Sequence, residues 1–416
     1  VFEKNPKAGG MLVYGIPSFK LEKDVVQAEI DIIKEMGVEI KTGIEVGKDV
    51  TLDELRTQGY KAFYIAIGCQ GGRSANIPGE DGTGVMAAVD FLRAAGEDAS
   101  YQVSGRTVVI GGGNVAIDVA RTSSRCGSGN VSMYCLESRD IMPASKEEIA
   151  EAEEEGIQIC CGFGPQEILT ENGKVKGVIF QKCISVNDAD GKFNPQYDET
   201  DTVIVECENV FLSIGQSIVW KDLLKGSKVE FGRGGAAVAD SLTYQTAEPD
   251  IFVGGDVYTG PKFAIDAIAA GKEGAVSIHR FVQPHTSMTI GRNRRQFVEM
   301  DKENIKLEAY DNSSRQIPGV DDKADRKKSF RDVSKTFTEE QVKKETARCL
   351  GCGASVVDEN RCIGCGVCTT KCEFDAIHLY RENPECSTMR KSEDKLKYIL
   401  PYGAKQAIKI KFSKRP

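Results

Sequence analysis

The chain has 416 residues, 40% of them hydrophobic and 28% charged, a length that suits roughly three domains and a balance that excludes a disordered or membrane-embedded protein. A net charge of −8 and a pI of about 5.3 argue against nucleic acid as a general partner. No apolar stretch has the length of a spanning helix and no signal pattern opens the sequence, while six of the 14 cysteines fall between Cys349 and Cys372; a reducing cytoplasm with thiolate-bound metal is expected, not extracellular disulfides.

In chain order, Val1-Phe2-Glu3 reads as the end of a strand, with Gly9 and Gly10 after it. Val25, Val26, Ile30 and Ile33 fall at helical spacing and predict a helix from about Lys23 to Met36. Val38-Glu-Ile-Lys41 and Ala62–Ile67 read as short buried strands, the second closed by Gly68. Residues 106–136 then predict a strand, a glycine turn, a helix from Val115 and a second strand, Val131–Leu136. That is a βαβ unit of about 30 residues, the size a right-handed crossover requires. An acidic helix is expected over 145–156 and several Val- and Ile-rich strands over 166–214. The second glycine punctuation, Ile251-Phe-Val-Gly254-Gly255-Asp256, precedes a helix from about Phe263, in which Ala264, Ala267, Ile268, Ala270 and Gly271 offer a small face for close packing. From about Thr286 to Lys344 the chain is polar and heavily charged and reads as a linker with some local structure. A cysteine module over 346–386 and a basic tail follow.

Gly111, Gly113 and Ala116 occupy the three small positions of G-x-G-x-x-G/A, directly after a strand and ahead of the helix from Val115, with Asn114 among the candidate cofactor-binding residues. The first makes the tight turn, the second admits a pyrophosphate close to the backbone, and the third lets helix pack on strand. Free N–H groups at the helix N-terminus then favour the anion. Glu137 closes the second strand at the distance expected for a ribose-binding acid, where it accepts from both hydroxyls and repels a 2′-phosphate. NAD(H) is therefore expected over NADP(H), with Arg139 two residues on as a group that weakens the exclusion. The plainer readings are a glycine turn kept for structure alone and a solvated loop charge at Glu137.

Several segments together resemble the glutamate synthase small-subunit family of flavoproteins: Gly9-Gly-Met-Leu-Val-Tyr-Gly-Ile-Pro-Ser-Phe-Lys20, Ile77-Pro-Gly-Glu-Asp81, Gly111–Arg121, Met142-Pro-Ala144 and Gly254-Gly-Asp-Val-Tyr-Thr-Gly-Pro261. They cover roughly residues 1–285. The resemblance implies an α/β fold of two Rossmann-like nucleotide-binding domains, the NAD domain inserted in the FAD domain, within the pyridine nucleotide-disulphide oxidoreductase superfamily. It implies that Glu3 binds the FAD adenosine ribose, that the Gly9–Lys20 loop, with Gly10 and Lys20, lines the flavin, and that Asp256 contacts the ribityl or pyrophosphate region. Gly68 and Gly255 complete the candidate set, and a helix N-cap is the plainer reading of Asp256. Two departures stand out. Leu136 and Glu137 hold the places of the family's paired arginines, and the FAD domain's own glycine fingerprint, expected before Glu3, is absent. The chain thus reads as N-terminally truncated, with an incomplete FAD domain, and the full-length protein is expected to be the FAD-competent species.

Cys362, Cys365, Cys368 and Cys372 follow C-x2-C-x2-C-x3-C, the ligand run of a bacterial-type [4Fe–4S] cluster. The first three form a tripod. In two-cluster ferredoxins the fourth cysteine serves the other cluster, and the usual proline after it is Glu373 here. Cys349 and Cys352 begin another run whose third position is Ser355, and Cys386 brings the module to seven cysteines, one short of two all-cysteine cubes. One or two clusters in a small ferredoxin-like domain are expected, with zinc as the chemical alternative.

Other signals are weaker. Cys160-Cys161 are adjacent and expected at a buried strand end, without the C-x-x-C or C-x4-C of a disulfide reductase. His279, His285 and His378 are scattered, and Arg292, Arg294 and Arg295 form either a docking patch or a solvated face. The expected domains are 1–102 (FAD, first part), 103–245 (NAD(P)), 246–285 (FAD, second part), 286–345 (linker), 346–386 (cluster) and 387–416 (basic tail). The function expected is hydride transfer from NADH to FAD, then single electrons to the [4Fe–4S] cluster or clusters and on to ferredoxin or a partner reductase in a hetero-oligomer. The alternatives are the electron-feeding subunit of a glutamate synthase and an inactive nucleotide-binding fragment. No side-chain acid or base is required, so no catalytic residue is assigned.

Overall fold

Thr107-Val-Val-Ile110 and Val131–Cys135 are hydrophobic almost without interruption, the pattern of strands covered on both faces. In the computed structural model, which describes residues 1–292, 313–320, 327–349, 362, 364–371, 377–380 and 391–412, these strands lie at the centre of a five-stranded parallel sheet. Its order is Val85–Ala87, Asn209–Leu212, Arg106–Ile110, Asn130–Cys135, Gln158–Cys161. Val109, Met133 and Phe211 point to one face and share a core with the helices Ala88–Glu97 and Asn114–Arg125. Val108, Ile110, Tyr134, Val210 and Leu212 point to the other. There they meet an antiparallel sheet of Phe163–Glu171, Lys174–Asn187 and Phe193–Glu206. One stacked ring pair marks each core, Phe91 on Phe211 at 4.0 Å and Tyr134 on Phe180 at 4.1 Å. Burying each such ring contributes about 1.5–3 kcal/mol.

Short pairs complete the strands: Phe2–Glu3 parallel to Lys41–Thr42, Phe63–Ile65 parallel to Ile251–Val253, and Gly71–Gly72 antiparallel to Gln216–Ser217. The strand expected at Val38–Lys41 begins only at Lys41, since Val38 is exposed. The helix Lys23–Glu35 buries Val26 and Ile30 and leaves Val25 and Ile33 in solvent. In the helix Ala264–Val282 the packing face is Ala270, Gly274 and Ser277, while Ile268 is exposed. The close approach is at Gly274, where a Cβ would lie 2.2 Å from the Tyr64 ring.

Two units are compact by themselves: Val1–Ala309 with Ser313–Thr346, and Tyr310–Asn312 with Ala347–Pro416. The charged stretch after residue 286 is not linker throughout. Phe330 packs on the core of the parallel sheet, Arg125 Nε donates to the Ser329 carbonyl at 2.9 Å, and Glu339–Ala347 is helical. In the second unit the described α-helices include Val367–Lys371 and Lys395–Phe412, the latter with Pro401 inside it, where the sequence reads only as a basic tail.

Candidate functional site

The glycine turn after Arg106–Ile110 has the conformation its residue types permit. Gly111 sits at φ +143°, its N–H bonds the Tyr134 carbonyl at 2.8 Å, and a Cβ there would lie 2.3 Å from the Ser213 carbonyl oxygen. Only glycine fits that approach. Gly113 is the N-cap of Asn114–Arg125, and a Cβ on it would meet nothing within 4 Å, so the space over the helix N-terminus is open. Ala116, fully buried, seats the helix on the sheet. Asn114 Oδ1 accepts from Ser145 N at 2.9 Å and Ala144 N donates to the Gly112 carbonyl at 3.0 Å. These bonds fold the Met142–Ser145 segment against the turn.

Glu137 is brought to the same turn: its Oε2 lies 3.0 Å from where a Gly112 Cβ would be. Arg139 is engaged elsewhere, Nη2 to Glu153 Oε2 at 2.6 Å. Ser213 Oγ, beside Gly111, is buried without a hydrogen-bond partner. A buried hydroxyl is normally satisfied, so an orphan beside open space and a helix N-terminus fits a polar ligand. Sequence reasoning missed Ser213, although the sequence Leu212-Ser-Ile-Gly215 marks the carboxyl end of the neighbouring strand, where open α/β sheets place ligands.

The candidate flavin residues lie on separate elements. Phe63–Ile65 and Ile251–Val253 are parallel neighbours, so Gly68 (φ +66°) and Gly255 (φ +66°) both follow the carboxyl ends of paired strands. Gly255 caps the short helix Asp256–Thr259. Burial pushes the Asp256 carboxyl up, and its Oδ1 accepts from Lys262 N at 3.2 Å. Gly10, at φ +53°, caps the turn Met11–Tyr14. Glu3 Oε1 accepts from Asn5 N and Asn5 Nδ2, both at 2.8 Å. Open space at Gly68 and left-handed glycines at the turns fit a close-lying cofactor chain.

Lys20, at the end of the loop that begins at Gly9, reaches to the helices Asn114–Arg125 and Lys146–Glu154, where its ammonium pairs with Asp118 and Glu148. Burial pushes the Asp118 carboxyl up to about 6 against the pull of Lys20. Beside this pair the Phe19 ring lies under the Arg125 and Arg121 guanidinia, at 4.0 and 4.8 Å. Arg125 forks onto Glu155 at 2.6 and 2.8 Å. Lys23 donates to the carbonyls of Leu12 and Ile16, and burial lowers its ammonium to about 8.

The cysteines form two populations. Cys69, Cys126, Cys135, Cys183 and Cys207 are buried and Cys160 and Cys161 half-buried; burial raises the Cys69 and Cys126 thiols to about 11 and the Cys207 thiol to about 12. Cys349, Cys362, Cys365 and Cys368 are exposed. Gly364 (φ +66°) and Gly366 (φ +77°) turn the chain between the tripod cysteines, and Cys368 lies on Val367–Lys371. Among the described residues no three His, Cys, Asp or Glu side chains converge on one point. Cys352 and Cys372 lie outside the described residues. Three exposed thiols at x2 spacing, with glycines to bend the loop, are a donor set suited to iron–sulfur. Of the basic cluster, Arg292 is taken up by Glu273 and Ser277, and Arg294 and Arg295 lie outside the described residues.

A family model described as pyridine nucleotide-disulphide oxidoreductase matches residues 5–271, and one described as 4Fe-4S binding domain matches residues 355–378. The chain is 34% identical over 365 residues to the NADP(+)-dependent formate dehydrogenase subunit beta of Moorella thermoacetica, covering 85% of this chain and 50% of that protein. It is 33% identical over 299 residues to the glutamate synthase (NADPH) small chain of Escherichia coli (strain K12), covering 68% and 63%. To the NAD-dependent dihydropyrimidine dehydrogenase subunit PreT of Escherichia coli O157:H7 it is 32% identical over 284 residues, covering 68% and 62%. The chain therefore spans about half to under two thirds of these relatives. Among solved structures, FprA from Mycobacterium tuberculosis in complex with NADPH aligns at a TM-score of 0.57 and 19% identity, over 67% of this chain and 76% of that one, a likeness of fold.

Proposed function

The chain belongs to the pyridine nucleotide-disulphide oxidoreductase family and carries a 4Fe-4S binding domain, and from that premise we propose that it draws electrons from NADH through FAD to the C-terminal cluster. Bound FAD supplies the exchange between a two-electron hydride carrier and a one-electron cluster. The chain's own residues bind and orient. The Gly111–Ala116 turn and the N-terminus of Asn114–Arg125 hold the nucleotide pyrophosphate. Glu3, Gly10, Gly68, Gly255 and Asp256 hold the flavin dinucleotide. Cys362, Cys365 and Cys368 hold iron, with Cys349, Cys352 or Cys372 available to complete one cluster or begin a second.

The observation that carries the preference for NADH is the Glu137 carboxylate over the glycine turn while Arg139 is paired with Glu153. A carboxylate there bonds ribose hydroxyls and repels a 2′-phosphate. Two of the relatives have NADP(+) or NADPH in their names and one has NAD, so the choice is decided by residues of this chain. The test is kcat/KM for NADH against NADPH with a one-electron dye. A clear excess for NADH supports the reading; a ratio near one, or favouring NADPH, refutes it.

Cytoplasmic placement and an acceptor that is ferredoxin or a partner subunit are part of the same proposal. The relatives are named as subunits or chains, and among the described residues no helix is long and apolar enough to cross a membrane. The likeness to a glutamate synthase small chain favours a second reading, an electron-feeding subunit whose amidotransferase partner is a separate chain. Adding that partner with glutamine and 2-oxoglutarate, and measuring glutamate, separates the two.

A further inference from the structure

Arg93 has no place in any motif of the sequence, yet three segments of the candidate flavin site meet at its guanidinium. Its Nη1 donates to Asn5 Oδ1 at 2.8 Å, and the same Asn5 amide donates through Nδ2 to Glu3 Oε1 at 2.8 Å. Its Nη2 donates to Gln70 Oε1 at 2.9 Å, two residues beyond Gly68. Its guanidinium carbon lies 4.7 Å from the centroid of the Tyr14 ring, in the turn that Gly10 caps. Asn5 and Tyr14 are 7% and 5% exposed, so these partners are held by packing and do not sample solvent.

The guanidinium is unusually served. Its hydrogen-bond acceptors are neutral amides, and these bonds use two of its five N–H donors. The nearest carboxylate in the chain of bonds, that of Glu3, is reached only through Asn5. Arg93 also stands on the helix Ala88–Glu97, whose opposite face, Phe91, Leu92 and Ala95, is buried in the core beneath the nicotinamide turn. One rigid helix thus presents a planar fork to the loop at Gly10, the turn at Gly68 and the acid at Glu3.

We propose that Arg93 is the positioning residue of the flavin dinucleotide site. It sets the Glu3 carboxylate through Asn5 and fixes the Gly10 and Gly68 segments around the cofactor. Its remaining N–H donors face a ligand with anionic oxygens. A lysine substitutes only in part, because an ammonium lacks the plane that lies on Tyr14 and the rigid fork that fixes the directions of two amide bonds. The inference rests on the flavin reading above.

The experiment strips FAD from the full chain and titrates it back by fluorescence quenching, recording visible circular dichroism of the bound flavin and the KM for NADH at saturating FAD. Arg93→Met is expected to raise the FAD Kd by about tenfold or more, from the loss of two charge-assisted bonds, and to change the flavin dichroism. The KM for NADH moves less than about twofold, since that site lies on other residues. Arg93→Lys restores only part of the FAD affinity. Gln70→Met, a milder change that keeps the guanidinium, raises the Kd about threefold to tenfold, the loss of a single bond. Unchanged FAD affinity in Arg93→Met overturns the proposal, as does full rescue by Arg93→Lys. A parallel rise in the KM for NADH and the Kd for FAD, with Gln70→Met unaffected, marks a merely structural role and overturns it too. Wild-type chain that binds FAD but is not bleached by NADH sinks the functional reading and leaves Arg93 standing; wild-type chain that takes up no FAD sinks both.

Discussion

The glycine turn at 111–116 and the cysteine run at 362–372 are both short spacing motifs, but they acquire geometry by opposite routes. The turn is built by the chain itself: Gly111 is pressed against Ser213, Ala116 is fully buried, and Glu137 is carried in by the next strand. The described cysteines of the run, Cys362, Cys365 and Cys368, are exposed. Thiolate sites of this kind gain their order from the metal, whose binding free energy is folding free energy. A backbone cradle thus rests on packing within the chain, and a thiolate site of this type draws its order from the metal it binds.

The largest effect that would break this contrast is at the turn. Gly111→Val puts side-chain atoms where even a Cβ lies 2.3 Å from a backbone oxygen. It is expected to abolish NADH-driven dye reduction and to cost roughly 2–5 kcal/mol in urea denaturation, with the iron content of the module unchanged. Next is Cys362→Ser, which is expected to lower bound iron and remove the reduced-cluster EPR signal. The same variant leaves dye reduction at the flavin, and the denaturation midpoint of the first unit, near wild type, within about 0.5 kcal/mol. A large fall in that midpoint would show that the two regions do not acquire order separately.

Glu155 probes the support under the turn. Burial raises its carboxyl, but the bonds from Arg125 and Arg121 outweigh this and hold it below the usual range. A depressed carboxyl contributes its full stability above the unfolded pKa near 4.5 and loses it as pH falls through the folded value. Glu155→Gln should cost about 3–5 kcal/mol at pH 7, because it breaks the buried ion pairs that Glu155 makes with Arg121 and Arg125, and progressively less in acid below pH 4. Equal loss at both pH values would contradict the ion-pair account. Smaller still, Glu137→Ala should lower kcat/KM for NADH by about 10- to 100-fold, the worth of bonds to a charged acceptor. Least of all, Glu153→Gln frees Arg139 from an exposed pair worth about 0–1 kcal/mol, so NADPH should gain at most about fivefold in kcat/KM.

The same contrast explains what was legible in the sequence. Gly111, Gly113, Ala116 and Glu137 sit within one βαβ unit, so local spacing carries them, and its strands declare themselves by nearly unbroken apolar runs, Val108-Val-Ile110 and Met133-Tyr-Cys135. Ser213 and Arg93 are invisible to spacing, because their roles arise from contacts made across the sheet and between helix and loop. The helix Lys395–Phe412 was hidden by Pro401 and by lysines scattered among its apolar residues. The small face expected in Ala264–Val282 holds at Ala270, which is buried against Gly254, and continues to Gly274, where the Tyr64 ring leaves room only for a glycine. For the cysteine run the sequence holds the ligand types and order, and the described structure adds the glycine turns between them.

The central claim is that electrons enter as hydride at the nucleotide site and leave singly through the cysteine run. Anaerobic titration of the FAD- and iron-loaded full-length protein with NADH, followed by absorbance and by EPR of samples frozen at each step, tests it most directly. The account predicts bleaching of the flavin bands accompanied by the EPR signal of a reduced [4Fe–4S] cluster, in proportion to NADH added. Flavin that stays oxidised, or flavin that bleaches fully while the cluster remains EPR-silent and oxidised, would contradict it.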